Sequence, residues 1–347
     1  MLVTGLFFMP FIICLISFII SSVTIPSIIL LANSNGAVAL PGKRHIHTDP
    51  TPKFGGVAIA LSVLLVSPFI FSVDRVIGSY LSASALMLLL GIIDDVRGTN
   101  WKVKMLFSVV AASIIIFGAG IWIENLGNLF GFGEVHLGFW GIPFTLFAVF
   151  GVINAVNLID GLNGLACGVS SIAFLSFAVF ASISGNSAVL YLSLANLGAT
   201  LGFFRYNYPR ARIFMGDSGS LFLGFSLAVL AILLTQGQGK INPMAPVIVL
   251  GIPIFDTLRV LIVRVKNKRP PFRADKTHLH HLMIRSGIPQ GRVVKTIWIL
   301  SSLMSSLAFL FFNADSWLIL LAFGIIVASI GVFIEKLRII KLSAARK

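Results

Sequence analysis

Apolar stretches close to 20 residues long follow one another along almost the whole chain, separated by short polar connections. That length matches the hydrocarbon thickness of a bilayer. The pattern predicts about eleven membrane-spanning helices, over 5–31, 55–73, 77–94, 103–122, 139–157, 165–184, 187–204, 218–235, 244–264, 295–313 and 316–334. The first stretch is too long for a signal-peptide core and has no basic leader, so it reads as a retained helix. The expected fold is an all-α polytopic membrane protein, one domain over 1–347, with the lipid bilayer as its first partner.

Composition agrees with this pattern. Hydrophobic residues make up 57% of the 347, charged residues 11%, and mean hydropathy is +0.99. The net charge of +14 raises the question of nucleic acid, but its distribution answers it. If the connection at 33–54 is placed inside, all the Lys and Arg except Arg75 and Lys240 fall on the inside face. This is the positive-inside rule. It predicts an external N-terminus and a cytoplasmic C-terminus, and no nucleic-acid partner. The inside connections are then 33–54, 94–103, 157–165, 204–218 and 264–295. Asp94, Asp95, Asp160, Asp217, Asp256 and Asp275 all lie in or at the edge of these connections. A transporter would instead place acids near the midplane. Cys14 and Cys167 read as small core residues. The spacing of Gly198 and Gly202 allows close helix packing, within the chain or in a homodimer.

Five polar motifs share the inside face. In GIIDDVRGTNWKVK (91–104), Asp94 and Asp95 are adjacent at a helix C-terminus, where the dipole disfavours negative charge. A divalent cation would offset that cost, and Lys104 suits phosphate oxygens. In NAVNLIDGLNGLACG (154–168), Asn154, Asn157, Asp160 and Asn163 recur every three residues, a slowly turning polar stripe on a helix. In RIFMGDSGS (212–220), Asp217 opens the next span from a glycine-flanked turn, a position that an ordinary N-cap would also explain. RPPFRADKTHLHHLMIRSG (269–287) gathers His278, His280 and His281 among cations that include nearby Arg264. No Cys or acid arrangement completes a zinc site there, so the loop reads as a diphosphate or sugar clamp. HTDPTPKFGG (47–56) reads only as a stiff loop. Together these point to phosphoryl transfer at the membrane surface, with a metal bridging a diphosphate and an acceptor arriving from the bilayer.

The set DD, NxxNLxDGLxGL, GDxGS and a His-rich loop, in this order, resembles the polyprenyl-phosphate N-acetylhexosamine-1-phosphate transferases of glycosyltransferase family 4. The resemblance covers about 40–340. The HLHH form and PIFDTLRV (253–260) are similar to the WecA/TagO-like branch, which primes O-antigen, common-antigen or teichoic-acid synthesis. The resemblance implies transfer of a sugar-1-phosphate, most simply GlcNAc-1-phosphate, from a UDP-N-acetylhexosamine to undecaprenyl phosphate with release of UMP. It implies Mg²⁺ or Mn²⁺, and the bacterial inner membrane with the site facing the cytoplasm. By motif position, Asp217 and Asn157 match metal ligands. Asp94, Asp95 and Asp160 match catalytic acids, and the Asp pair handles metal or activates the lipid phosphate. Lys104 matches a phosphate contact and Asn163 a position near uracil. Arg264, His278, His280 and His281 match the diphosphate and sugar end. The expected chemistry is in-line attack by the lipid phosphate, with a covalent phosphosugar–Asp intermediate as the rival. The alternatives are a phospho-MurNAc-pentapeptide transferase of the same superfamily and, in a different class, a secondary transporter.

Overall fold

A computed structural model of the chain describes residues 2–39, 50–70, 74–237, 241–268, 270 and 277–344. Lys43, Arg44, His47, Lys240, Arg269, Arg273, Asp275, Lys276, Arg346 and Lys347 lie outside the described residues. The helices are α1 (Leu2–Ser34), α2 (Gly55–Ile70), α3 (Arg75–Arg97), α4 (Trp101–Ser113), α5 (Gly141–Ile159), α6 (Leu165–Ser184) and α7 (Ser187–Asn207). They continue with α8 (Gly216–Gln236), α9 (Ala245–Val249), α10 (Gly251–Lys266), α11 (Leu279–Arg285), α12 (Gln290–Leu310) and α13 (Ser316–Ala344).

Among the described residues, 8 helices are long and apolar enough to cross a membrane, which marks a multi-pass membrane protein. The runs at 55–73 and 316–334 are helical as α2 and α13, with apolar parts Gly55–Phe69 and Ser316–Ile326 among the described residues. One predicted span differs. The run at 244–264 is two helices, α9 and α10, interrupted at Leu250. Pro253 explains the break, because it has no N–H to return to the Val249 carbonyl. Beyond the break, the buried face of α10 carries Asp256, Val260 and Arg264 at a four-residue spacing. A polar stripe there points into the protein rather than into lipid.

The enclosed centre of the bundle is α8, packed by α2, α3, α5, α6 and α7. Close approach depends on missing side chains. A Cβ on Gly56 would stand 1.9 Å from the Gly219 nitrogen, and one on Gly91 would stand 2.3 Å from the Ser218 Cα. The backbones of α2 and α3 therefore rest directly on the first turn of α8. Gly198 and Gly202 serve the same purpose within the chain, bringing α7 against the α1 carbonyls of Cys14 and Phe18. Inside the bundle, Tyr80, Asn196 and Ser226 form an uncharged hydrogen-bonded knot between α3, α7 and α8, each contact 3.0 Å.

The motif at 47–56 is more than a loop. Val38–Ala39 (β1) pairs antiparallel with Thr51–Pro52 (β2). From there Phe214 donates to the Pro52 carbonyl at 2.7 Å. Gly55 and Gly56 return donors to Phe214 and Met215 at 2.9 and 2.8 Å. This strap clamps the turn that leads into α8. Gly56→Ala should force two backbones apart and destabilise the fold by about 1–3 kcal/mol. It should read as a lower midpoint of thermal unfolding in detergent. Gly151→Ala, where a Cβ meets nothing within 4 Å, should leave that midpoint unchanged or raise it.

Candidate active site

The two adjacent aspartates at the end of α3 have separate partners. Asp95 is 6% exposed, and its carboxylate accepts from the backbone N–H groups of Asp217 (2.8 Å) and Ser218 (3.0 Å). No side chain of α8's own N-cap residue, Met215, makes a cap, so a residue 122 positions earlier supplies it. The carboxylate also meets the positive end of the α8 dipole. Asp94 turns the other way. Its Oδ1 accepts from the Thr99 N–H at 2.7 Å and from the Thr99 hydroxyl, and its Oδ2 pairs with Lys104 at 3.0 Å.

Lys104 joins this pair to Asp217, whose Oδ2 it also contacts. Asn157, from the end of α5, places its Nδ2 3.1 Å from Asp217 Oδ1 and 2.8 Å from Ser220 Oγ. Thus α3, α4, α5 and α8 each bring one polar group to a single centre. The ammonium of Lys104 stands between two carboxylates that would otherwise repel.

Beside this centre opens a cavity of about 480 Å³ at the same end of the bundle. Asp94, Asp95, Asn157, Asp160, Asn163, Asp217 and His281 all line it. Asp160 follows the last residue of α5, and burial together with the charges of Asp217 and Asp95 raises its pKa to about 7. Near neutral pH it can hold or release a proton. The turn after it is fixed by Asn207, which accepts from the Gly164 N–H at 2.7 Å and donates to the Ile213 carbonyl at 3.0 Å. Gly164 lies at φ +75°, a left-handed backbone that favours glycine. Asn163 donates to the Pro209 carbonyl at 3.4 Å.

The histidine loop docks on the other wall through Asp256. His278 Nδ1 lies 2.8 Å from Asp256 Oδ2, and the Leu279 N–H donates to Asp256 Oδ1 at 2.8 Å. Arg259 pairs with the same carboxylate at 2.9 Å and donates to the Thr277 carbonyl. The three histidines consequently differ. His281 lines the cavity. His280, 1% exposed, wedges against Gly161, where a Cβ would meet its Nε2 at 2.3 Å. Neither ring nitrogen of His280 has a hydrogen-bond partner among the described residues. Burial, with His281 nearby, pushes its pKa down to about 3, so it is a neutral wedge and not a cationic clamp. His278 and Arg264 are buried behind the cavity wall.

The motifs did not single out several participants. Lys53 and Gln290 line the cavity, Thr99 holds Asp94 and Ser220 holds the Asn157 amide in place, and Asp256 with Arg259 anchors the histidines. Lys53 and Asp256 sit within the noted stretches 47–56 and 253–260, but nothing local says which way they point.

Among the described residues, no three His, Cys, Asp or Glu side chains form a metal-ligand set. That does not argue against Mg²⁺, which usually takes one or two carboxylates and completes its shell with substrate phosphates and water. Asp217 with the Asn157 amide and neighbouring Asp94 offers hard oxygen donors of this kind, and a cation already stands between the two acids. The oxygen and nitrogen of an amide are interchangeable by a flip, so Asn157 can present either.

Comparison with known proteins agrees with the motif set. The model of a family described as "Glycosyl transferase family 4" matches residues 77–235. The chain is 35% identical over 327 residues to a Bacillus subtilis (strain 168) protein named "Probable undecaprenyl-phosphate N-acetylglucosaminyl 1-phosphate transferase", covering 92% of this chain and 91% of that one. It is 30% identical to the Haemophilus influenzae "Undecaprenyl-phosphate alpha-N-acetylglucosaminyl 1-phosphate transferase", covering 85% and 86%. It is also 30% identical to the Mycobacterium tuberculosis "Decaprenyl-phosphate N-acetylglucosaminephosphotransferase", covering 89% and 84%.

The buried His280 predicts a pH effect with a definite sign. Its pKa falls from the ordinary 6.5 to about 3 on docking, so a proton favours the undocked loop. Docking stability should be complete above pH 6.5 and decline as pH drops toward 3. Hydrogen exchange over 278–286, corrected for intrinsic rates, should rise across that window. His280→Leu should reduce the rise, leaving what Asp256, whose pKa is lowered by His278 and Arg259 beside it, contributes.

Proposed function

This chain belongs to glycosyl transferase family 4, and on that premise we propose that it transfers N-acetylglucosamine-1-phosphate from UDP-N-acetylglucosamine to undecaprenyl phosphate, releasing UMP. The observation that carries the reading is the convergence of Asp94, Lys104, Asn157 and Asp217 beside one cavity at the end of a membrane bundle. The acceptor is a lipid and the donor is water-soluble. Their phosphates can meet only where bilayer and solvent adjoin, and that is where these helix ends lie. The distribution of Lys and Arg supports a cytoplasmic orientation in a bacterial inner membrane, with the N-terminus outside. A transporter fits poorly, since the polar knot within the bundle is uncharged and most acids lie at helix ends and in connections.

Held by Asp217 and Asn157, Mg²⁺ or Mn²⁺ would neutralise diphosphate oxygens and polarise the phosphorus under attack. Lys104 and Lys53 place positive charge where the substrate phosphates collect. The lipid phosphate is largely dianionic near pH 7, so it needs positioning more than a strong base. One of its oxygens forms a bond to the sugar-linked phosphorus. The bond from that phosphorus to the bridging oxygen breaks, and UMP leaves with the electron pair. Direct transfer is favoured because the carboxylates at the centre are already engaged. Asp95 binds two backbone amides, and Asp94 and Asp217 share Lys104, which lowers their nucleophilicity. Asn163 and His281 line the space available to the rest of the donor.

Asp217→Asn should leave the protein inserted and monodisperse in detergent. It should lower UMP release by at least about 100-fold. The measurement is UMP release from UDP-N-acetylglucosamine with undecaprenyl phosphate and Mg²⁺, and a wild-type rate in the variant would refute the assignment.

A further inference from the structure

Asp256 touches no residue of the acid centre, yet it is 3% exposed and fully committed. One oxygen accepts from the Leu279 backbone N–H and from Arg259, and the other meets His278 Nδ1. Two of its three partners, His278 and Leu279, belong to the segment that carries the histidines, so a carboxylate on α10 caps the start of α11 and fixes its first turn. We propose that Asp256 is a positioning residue for the sugar-diphosphate end of the nucleotide-sugar site. It acts through His278 and α11 on the placement of His280 and His281. The inference rests on the transferase reading above.

The physical chain has three links. An ionised carboxylate only accepts hydrogen bonds, so His278 must carry its proton on Nδ1 toward Asp256. The ring's orientation and tautomer are thereby set. The second oxygen holds the Leu279 amide, one of the orphan donors of α11's first turn. Seven residues are too few to hold a helix unaided: α11 packs on α12 and α13 with Leu279 and Met283 buried, and the docked carboxylate fixes its first turn. That seating brings His280 against Gly161, next to Asp160, and turns His281 into the cavity. Arg259 offsets the buried charge of Asp256 and ties Thr277 to the same point.

The test is Asp256→Asn in the full-length purified enzyme. The amide can still accept from Leu279, but it offers an N–H toward His278 where a lone pair is needed. KM for UDP-N-acetylglucosamine should rise about 10- to 100-fold, the loss expected for a hydrogen bond to a charged group. KM for undecaprenyl phosphate and kcat should change little, because the acid centre is untouched. A general loosening of the fold would instead degrade both KM values. In a cycle with His278→Asn, the double variant should lose no more than the worse single one. An unchanged KM for the nucleotide sugar, or multiplicative losses in the cycle, would overturn the proposal. Should Asp256→Asn not fold, hydrogen exchange on the wild type decides. Peptides over 277–286 should be protected without substrate, and exchange at the rate of an open loop would overturn it. Absence of UMP release by the wild type would overturn the transferase reading, while the exchange measurement would still report on Asp256.

Discussion

The carboxylate of Asp95 on the first two amides of α8 is the contact on which the rest of the site depends. A helix that begins at the membrane surface has free N–H groups and a partial positive charge, and both need a partner. Asp95 supplies one from the far end of α3, a helix whose own dipole disfavours an acid there. One contact removes two unfavourable terms. It also fixes the position of Asp217, whose backbone N–H is one of the donors and whose side chain faces Lys104. The glycine contacts support it, because Gly56 and Gly91 let two further backbones close on the same turn.

Seen from this contact, adjacency of the two acids has a use. Neighbouring positions on a helix point about 100° apart, so Asp94 and Asp95 face different partners. One becomes structural support for α8, and the other stays beside the cavity with Lys104 and Thr99. A single carboxylate could not both cap α8 and pair with Lys104 beside the cavity.

Much of this was legible in the sequence, and the remainder was hidden for definable reasons. Run lengths revealed the membrane helices, and the Lys and Arg pattern gathered the motifs on one face. Asn157 and Lys104 stood out because polar groups at helix ends in so apolar a chain require a reason, whereas Asp217, which an ordinary N-cap would explain, gained its role only from the motif set. The division of labour between Asp94 and Asp95 was not legible, since it depends on a partner 122 residues away. Nor was the break at Leu250 read, because the run across 244–264 has the length of one span and the break comes from the missing N–H of Pro253. The three histidines looked equivalent in sequence. They separate into an anchored ring, a neutral wedge and a cavity-lining residue only because Asp256 and Gly161 approach from other elements.

The two halves of the site are built to different tolerances. The acid centre stands on α3, α4, α5 and α8, with backbones in contact and each carboxylate carrying at least two partners. Phosphoryl transfer requires this rigidity, since its catalysis is largely placement and charge. The histidine side instead is pinned to α10 by one buried carboxylate, packs on α12 and α13, and meets the acid centre where His280 rests on Gly161. If the histidine side holds the donor sugar, as proposed above, reaction type and donor choice fall on separable parts of the fold.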